Sequence, residues 1–235
     1  MLDGSVNDHA VERLRARVSG PYNLYLKRPI GLILAVPLVV LLSPLLLLIA
    51  MAVVIDSGFP VLYRGERGGF RGTPFHIFKF RTMVRNAENI GGGTTALNDA
   101  RITRVGSMLR RTKLDEFPQL LNIIKGDMCF IGPRPELLRY TSQYKGNEEF
   151  ILQVRPGITD FSSITYLHLD KVVGSGDADA VYEREVLHHK NRLRIQYVAE
   201  MSPVTDARLF ISTASRALAG FFRIASRRLG SNGDN

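Results

Sequence analysis

From Ile30 to Ile55 the chain reads IGLILAVPLVVLLSPLLLLIAMAVVI, without one charged residue. A bilayer-spanning helix needs about 20 apolar residues, so this run is long enough to live in a membrane. It is too long for a secretory signal and is followed by no small-residue cleavage site. Lys27 and Arg28 precede it, Arg64 and Arg67 follow it, and further basic residues lie beyond on either side. Equally basic flanks give the positive-inside rule nothing to choose between. Ser43-Pro44 falls at the midpoint, where a proline removes one backbone hydrogen bond and crowds the preceding turn. Two readings stay open on charge alone: a crossing helix with a tolerated kink, or a helix that enters, turns and leaves by the same face.

The residues after the run suffice for a polar domain with a modest core. Overall 45% of the chain is hydrophobic and 23% charged, a balance that excludes intrinsic disorder. The single cysteine, Cys129, excludes an internal disulfide framework and a cysteine-clustered zinc site, and beside Phe130-Ile131 it reads as a buried thiol. The pattern predicts strands at Val61–Tyr63 and Phe75–Phe80 around a glycine-rich turn from Gly65 to Gly72, and a mobile loop at Gly91–Thr95. It predicts helices over Leu109–Lys125, Val181–Glu200 and Asp206–Leu229. In the last, Leu209, Leu218, Phe221, Phe222, Ala225 and Leu229 share a face opposite several arginines, a pattern that suits the headgroup region of a bilayer or packing on the domain. The tail from Gly230 to Asn235 reads as frayed.

Between Pro60 and Asp115 eleven Lys and Arg residues face four Asp and Glu, a local excess of +7 within a chain of net charge +9. Anionic lipid or a phosphorylated substrate explains this better than nucleic acid, for which no zinc-finger or RNA-binding signature exists. Familiar phosphate loops and the HExxH zinc motif are absent, and His188-His189 reads as a surface pair. Asp115 and Glu116 follow Arg110 and Arg111 and precede an apolar helix. Asp115 there is either a helix cap or a carboxylate kept ionised by its arginines, able to attack phosphorus while its neighbour holds a metal. Arg134 stands between Pro133 and Pro135, which limit its freedom and present its planar fork to phosphate oxygens or to backbone carbonyls and Glu136. Val154–Thr159 reads as a second such turn.

The segments KRPIGLILAVPLVVLLSPLLLL, FKFRTM, ARITRVGSMLRRTKLDEFPQLLNIIKGDM, IGPRPEL and VRPGITD occur in an order that resembles the bacterial sugar transferases, the monotopic phosphoglycosyl transferases. The likeness runs from about Tyr25 to Asp206. It implies an α+β, mostly α, fold: a re-entrant membrane helix broken at Ser43-Pro44, and a small cytoplasmic catalytic domain with amphipathic interfacial helices. The implied division is 1–29 cytoplasmic segment, 30–55 membrane helix, 56–205 catalytic domain and 206–235 amphipathic helix and tail.

The implied reaction transfers a sugar-1-phosphate from a UDP-sugar to a polyprenyl phosphate at the cytoplasmic face of the bacterial inner membrane, releasing UMP. In that reading Asp115 is the nucleophile, Glu116 holds Mg2+ with Asp115 beside it, and Arg110 and Arg134 contact diphosphate, with Lys79 and Arg81 as further phosphate contacts. Membrane lipids are partners, nucleic acid is not, and a homodimer is left open. The chain departs from the family pattern at Arg194-Ile195-Gln196-Tyr197, where an acidic D-x-Y-Y is common, with Glu183 or Glu185 as substitutes, and at Asp160-Phe161-Ser162-Ser163. The departure at 160–163 bears on acceptor or sugar preference, while the late-helix departure, the basic face and the amphipathic C-terminus support the competing reading of an inactive membrane-surface scaffold.

Overall fold

The computed structural model describes residues 4–174 and 176–230; of Glu88, of 4–7 and of 217–230 it gives the backbone alone. Helix α1 (Gly4–Ser19) leads through a wider π-helical turn (Tyr22–Leu26) into α2 (Lys27–Ser57). Helix α2 has 31 residues, about 46 Å at 1.5 Å per residue, with Pro37 and Pro44 inside it. Its hydrogen-bonded helix is unbroken at Ser43-Pro44. Pro44 has no N–H for the carbonyl of Val40, and the hydroxyl of Ser43 donates to that oxygen at 2.8 Å. The pair therefore satisfies its own defect, which a membrane interior demands.

Both ends of α2 rest on the same polar domain. Ala35 packs with Phe75, Leu120 and Ile123, while Ile49 and Val53 pack with Phe80 and Leu109. The side away from the domain is bare: Leu41 is 75% exposed and Val40, Leu47 and Leu48 are nearly as open. A helix crossing a roughly 30 Å hydrocarbon core would carry its ends to opposite surfaces. Here one domain holds both, so α2 is re-entrant and the protein is monotopic.

The domain is mostly helical with two small sheets. Strands β1 (Leu62–Gly68) and β2 (Pro74–Phe80) form an antiparallel hairpin from Leu62↔Phe80 to Gly68↔Pro74. The first strand thus runs through Gly65 to Gly68, and the turn is shorter than the glycine pattern suggests. Helices α3 (Arg104–Thr112) and α4 (Gln119–Lys125) follow, then β3 (Cys129–Ile131) and its parallel partner β4 (Gly157–Thr159). The expected second turn at 154–159 is in part that strand. Helix α5 (Leu187–Glu200) extends short helical turns that begin at Ala178, and α6 (Pro203–Gly230) closes the fold.

One core joins α1, α5 and α6 through Leu14, Val198 and Leu209. Phe210 meets Phe130 edge-on at 5.6 Å, and Thr213 is 3.0 Å from Thr159, so the start of α6 packs on the domain. The side chains of Leu218, Phe221, Phe222, Ala225 and Leu229, and the tail after Gly230, lie outside the described residues. Cys129 is a buried free thiol whose pKa burial pushes up. The loop expected to be mobile is tied down: Asp179 accepts from the amides of Gly93 and Thr94 at 3.1 and 2.7 Å.

Candidate active site

The predicted helix over 109–125 is interrupted, and the interruption makes the site. Helix α3 starts with Thr103 accepting from the amide of Gly106 and ends at Lys113, whose φ is 60°. A left-handed lysine costs about 1 kcal/mol, a strain that clusters at functional turns. It redirects the chain so that Leu114–Glu116 forms one tight turn before α4. Helix α4 has Pro118 as its cap residue without a side-chain bond, so Asp115 is not its cap. Instead Asp115 is buried, and among the described residues its Oδ1 has no hydrogen-bond partner.

Glu116 Oε1 accepts from Lys79 Nζ at 2.9 Å and from Arg134 Nη2. Two cations around one carboxylate, with Lys113 near, outweigh burial and hold Glu116 well below the usual carboxylate range. Asp115 goes the other way: burial first and then the Glu116 charge push its carboxyl up, against Lys79, Arg110 and Lys113. Desolvation thus opposes the cations that the sequence places around Asp115. The Lys79 ammonium is pulled down by burial, with Glu116 opposing and Arg134 adding to the pull.

Arg110 comes from α3 and is held by Thr82 Oγ1 at 2.7 Å and Thr95 Oγ1 at 2.9 Å, one on each side. Arg134 arrives from the turn after β3. That turn is built by close approach: a Cβ on Gly157 would lie 2.1 Å from the nitrogen of Gly132. Only glycines let the two backbones touch, and the amide of Gly157 then donates to Pro133 O at 3.1 Å. Arg134 N donates to Asp160 Oδ2 at 3.0 Å and its Nη1 to Ile158 O. Arg134 therefore combines both sequence readings, one nitrogen on a carbonyl and the other on Glu116, but it does not pair with Glu136.

Arg81 stands apart from this group. Its Nη2 donates to Ser57 O, Ser57 Oγ and Gly58 O, so it closes the C-terminal end of α2 where carbonyls lack partners. Strand β2 ends at Phe80, and the chain turns away before Arg81 can follow Lys79 into the site.

Residues 22–220 match the family described as bacterial sugar transferase. The chain belongs to that family. An Aeromonas hydrophila relative described as UDP-N-acetylgalactosamine-undecaprenyl-phosphate N-acetylgalactosaminephosphotransferase is 32% identical over 94% of this chain and 50% of its own length. A Caulobacter vibrioides relative described as UDP-glucose:undecaprenyl-phosphate glucose-1-phosphate transferase is 32% identical over 92% of this chain and 82% of its own. An Escherichia coli relative of the same description is 36% identical over 81% of this chain and 40% of its own. The chain thus spans half or less of two of these relatives and most of the third.

For this member of the family, the structure adds contacts that motif reading missed. Glu136, directly after the Pro-Arg-Pro turn, accepts at Oε2 from Arg194 Nη2 at 2.7 Å and from the Tyr182 hydroxyl. Arg194, where the resemblance leads one to expect an acidic residue, is fully buried. Of the two expected substitutes, Glu183 accepts from Tyr140 at 2.8 Å, and Glu185 pairs with Arg184 on the surface. The available signal was the reversed charge at Arg194, which requires an acidic partner somewhere. Among the described residues no three His, Cys, Asp or Glu side chains form a metal cluster.

Proposed function

We propose that this chain is a phosphoglycosyl transferase that moves a sugar-1-phosphate from a UDP-sugar to a polyprenyl phosphate. The observation that carries the reading is the buried Asp115 carboxylate with an unpaired oxygen, set among Lys79, Arg110, Lys113 and Arg134 on a domain that grips a re-entrant helix. The printed descriptions of the relatives, which name UDP-sugars and undecaprenyl phosphate, support it. The chemistry begins with Asp115 attacking the sugar-bearing phosphorus. The bond from that phosphorus to the bridging oxygen breaks, and UMP leaves with the oxygen. An oxygen of the polyprenyl phosphate then attacks the same phosphorus, the Asp115 carboxylate departs, and a polyprenyl diphosphate sugar remains.

An anion attacking a diphosphate needs its repulsion offset, and fixed cations in a dry site do this most strongly. Arg110 and Arg134 suit the diphosphate oxygens, because each is held by neighbours with its fork constrained. Lys79 adds charge beside Glu116.

The donor set suits Mg2+. Asp115 Oδ1 is an orphaned buried oxygen, and both bonds to Glu116 use Oε1. One or two carboxylates plus substrate phosphates are what this ion usually takes, so a three-residue cluster is not required. When bound, Mg2+ would be held by Asp115 and Glu116, favouring their ionised forms and neutralising the diphosphate.

The test is intact-protein mass after incubation with Mg2+ and a panel of UDP-sugars without lipid acceptor. A sugar-phosphate adduct is expected, absent in Asp115→Asn. Full turnover by Asp115→Asn would overturn the nucleophile assignment.

A further inference from the structure

Arg194 holds a place that its chemistry makes costly. Its guanidinium is fully buried on α5, and removing a cation from water costs several kcal/mol unless every partner is in place. Nη1 donates to Asn191 Oδ1 at 2.7 Å and Nη2 to Glu136 Oε2 at 2.7 Å. Asn191 Oδ1 also accepts from the Tyr144 hydroxyl at 3.1 Å, and its Nδ2 donates to Glu148 at 3.0 Å. Around Glu136, Tyr182 donates to the same carboxylate oxygen, while Lys190 lies 3.9 Å from it and donates to Tyr182 at 3.1 Å.

The backbone of the Pro-Arg-Pro turn is held at Arg134 itself, whose N donates to Asp160 Oδ2 at 3.0 Å, and at one point on either side of it. Before Arg134, Gly157 N donates to Pro133 O at 3.1 Å. After it, Pro135 has no N–H to offer, so the next anchor is Glu136 itself. The carbonyl of Glu136 accepts from Gly68 N at 3.0 Å, and its carboxylate is fixed by Arg194 and Tyr182. Buried ion pairs contribute little net stability, and their better-attested use is to select one arrangement. Here the selected arrangement is a turn whose guanidinium meets Glu116.

We propose that Arg194 is a positioning residue for Arg134: through Glu136 it locks the far side of the Pro-Arg-Pro turn and so sets the guanidinium against Glu116. The proposal rests on the transferase reading for its effect on turnover, but the lock itself is measurable without any substrate.

The experiment uses the full chain in lipid nanodiscs, with two variants. Arg194→Lys keeps the charge but cannot reach Asn191 and Glu136 with two separate nitrogens. Tyr182→Phe removes one hydrogen bond to Glu136 and keeps the packing. Amide hydrogen exchange is followed at Gly132, Arg134, Glu136 and Leu137, with β1 and β2 as internal reference. Arg194→Lys is expected to speed exchange in the turn about tenfold with the hairpin unchanged, and Tyr182→Phe to speed it by a smaller factor. Turnover of the accepted UDP-sugar should fall about tenfold in Arg194→Lys, because small misplacements of a positioned cation are amplified in rate. Combining Arg194→Lys with Glu136→Gln should cost no more than the larger single loss, since the two act through one contact.

Unchanged exchange in the turn in both variants overturns the proposal, and so does faster exchange with full turnover. If Arg194→Lys exchanges fast everywhere, it has unfolded and Tyr182→Phe decides: a local rise supports the lock and no rise removes it. If the unaltered chain turns over no UDP-sugar, the transferase reading fails and the exchange data alone decide the lock.

Discussion

Replacing Gly106 by Ala sets helix propensity against backbone contact, and the structure says which wins. In an exposed helix interior the change would stabilise by about 1 kcal/mol, because glycine gives up more chain entropy. Gly106, however, sits in the first turn of α3, pressed on the strand exit. A Cβ there would lie 2.1 Å from the carbonyl oxygen of Thr82 and 2.7 Å from its carbonyl carbon and Cα. Backbone cannot swing aside as a side chain can, so α3 and Thr82 must part. That separation breaks the bond from Thr103 N to Thr82 O, now 3.0 Å, at about 1 kcal/mol. Overpacking adds about 1–3 kcal/mol.

The net expectation for Gly106→Ala is a loss of about 2 kcal/mol, or roughly 4–8 °C in Tm for a chain of this size. Turnover should fall more than stability does. Thr82 Oγ1 holds Arg110 Nε at 2.7 Å, and a displaced Thr82 takes that guanidinium with it. A loss of about tenfold or more in kcat/KM is expected, given the sensitivity of such sites to misplacement. The assay pairs thermal unfolding in nanodiscs with UMP release, using Gly176→Ala, which has open space around its Cβ, as control. A Gly106→Ala protein with raised Tm and full UMP release would refute the reasoning, because propensity would then outweigh the contact.

Asp206→Asn should destabilise by about 3 kcal/mol, measured as a lower Tm, because it strands a buried cation. Lys27 Nζ lies 2.8 Å from Asp206 Oδ2, and Tyr22 and Tyr197 each donate to the same carboxylate at 2.7 Å. An unchanged Tm would mean that the pair does not fasten the start of the membrane helix. Acid should expose the Glu136 lock. Burial pushes its carboxyl up, but Arg194, Lys190 and Tyr182 outweigh that and hold it at about 2. A pKa depressed on folding contributes stability above the ordinary glutamate value, lost as pH falls from about 4.5 towards 2; the full contribution is on the order of 3 kcal/mol. The Tm gap between the unaltered chain and Glu136→Gln should therefore be widest near neutrality and close across that window, and a gap independent of pH would contradict it.

The sequence by itself determined the parts that depend on neighbours along the chain. An uncharged run of that length can only serve a membrane, and Ser43-Pro44 carries both a helix defect and the hydroxyl that repairs it. The Lys-Leu-Asp-Glu and Pro-Arg-Pro segments are legible as adjacent carboxylates and a constrained arginine, which by residue type leave a helix cap and a phosphate site both open; it is the resemblance to the sugar transferases that implies the second. What the tertiary structure decided depends on residues far apart in sequence. That α2 returns to the side it entered follows from Ala35 and Val53 packing on one domain, which charge counting could not reveal. Of the arginines, only contact geometry separates Arg134, which reaches Glu116, from Arg81, which closes α2.

The environment of Asp115 is likewise a tertiary property. The sequence shows cations nearby, which favour the ionised carboxylate, whereas burial, which no local pattern encodes, pushes its pKa the other way. Asn122 shows the same division: in sequence it is one polar residue in an apolar helix, yet in the fold its side chain bonds Phe78 N at 2.9 Å and His76 O at 2.7 Å. It supplies the hydrogen bonds that β2 lacks on that edge, beside Lys79. Arg194 is the last case. Its charge is plain from the sequence, but its meaning required knowing that Glu136, 58 residues earlier, lies within one hydrogen bond of it.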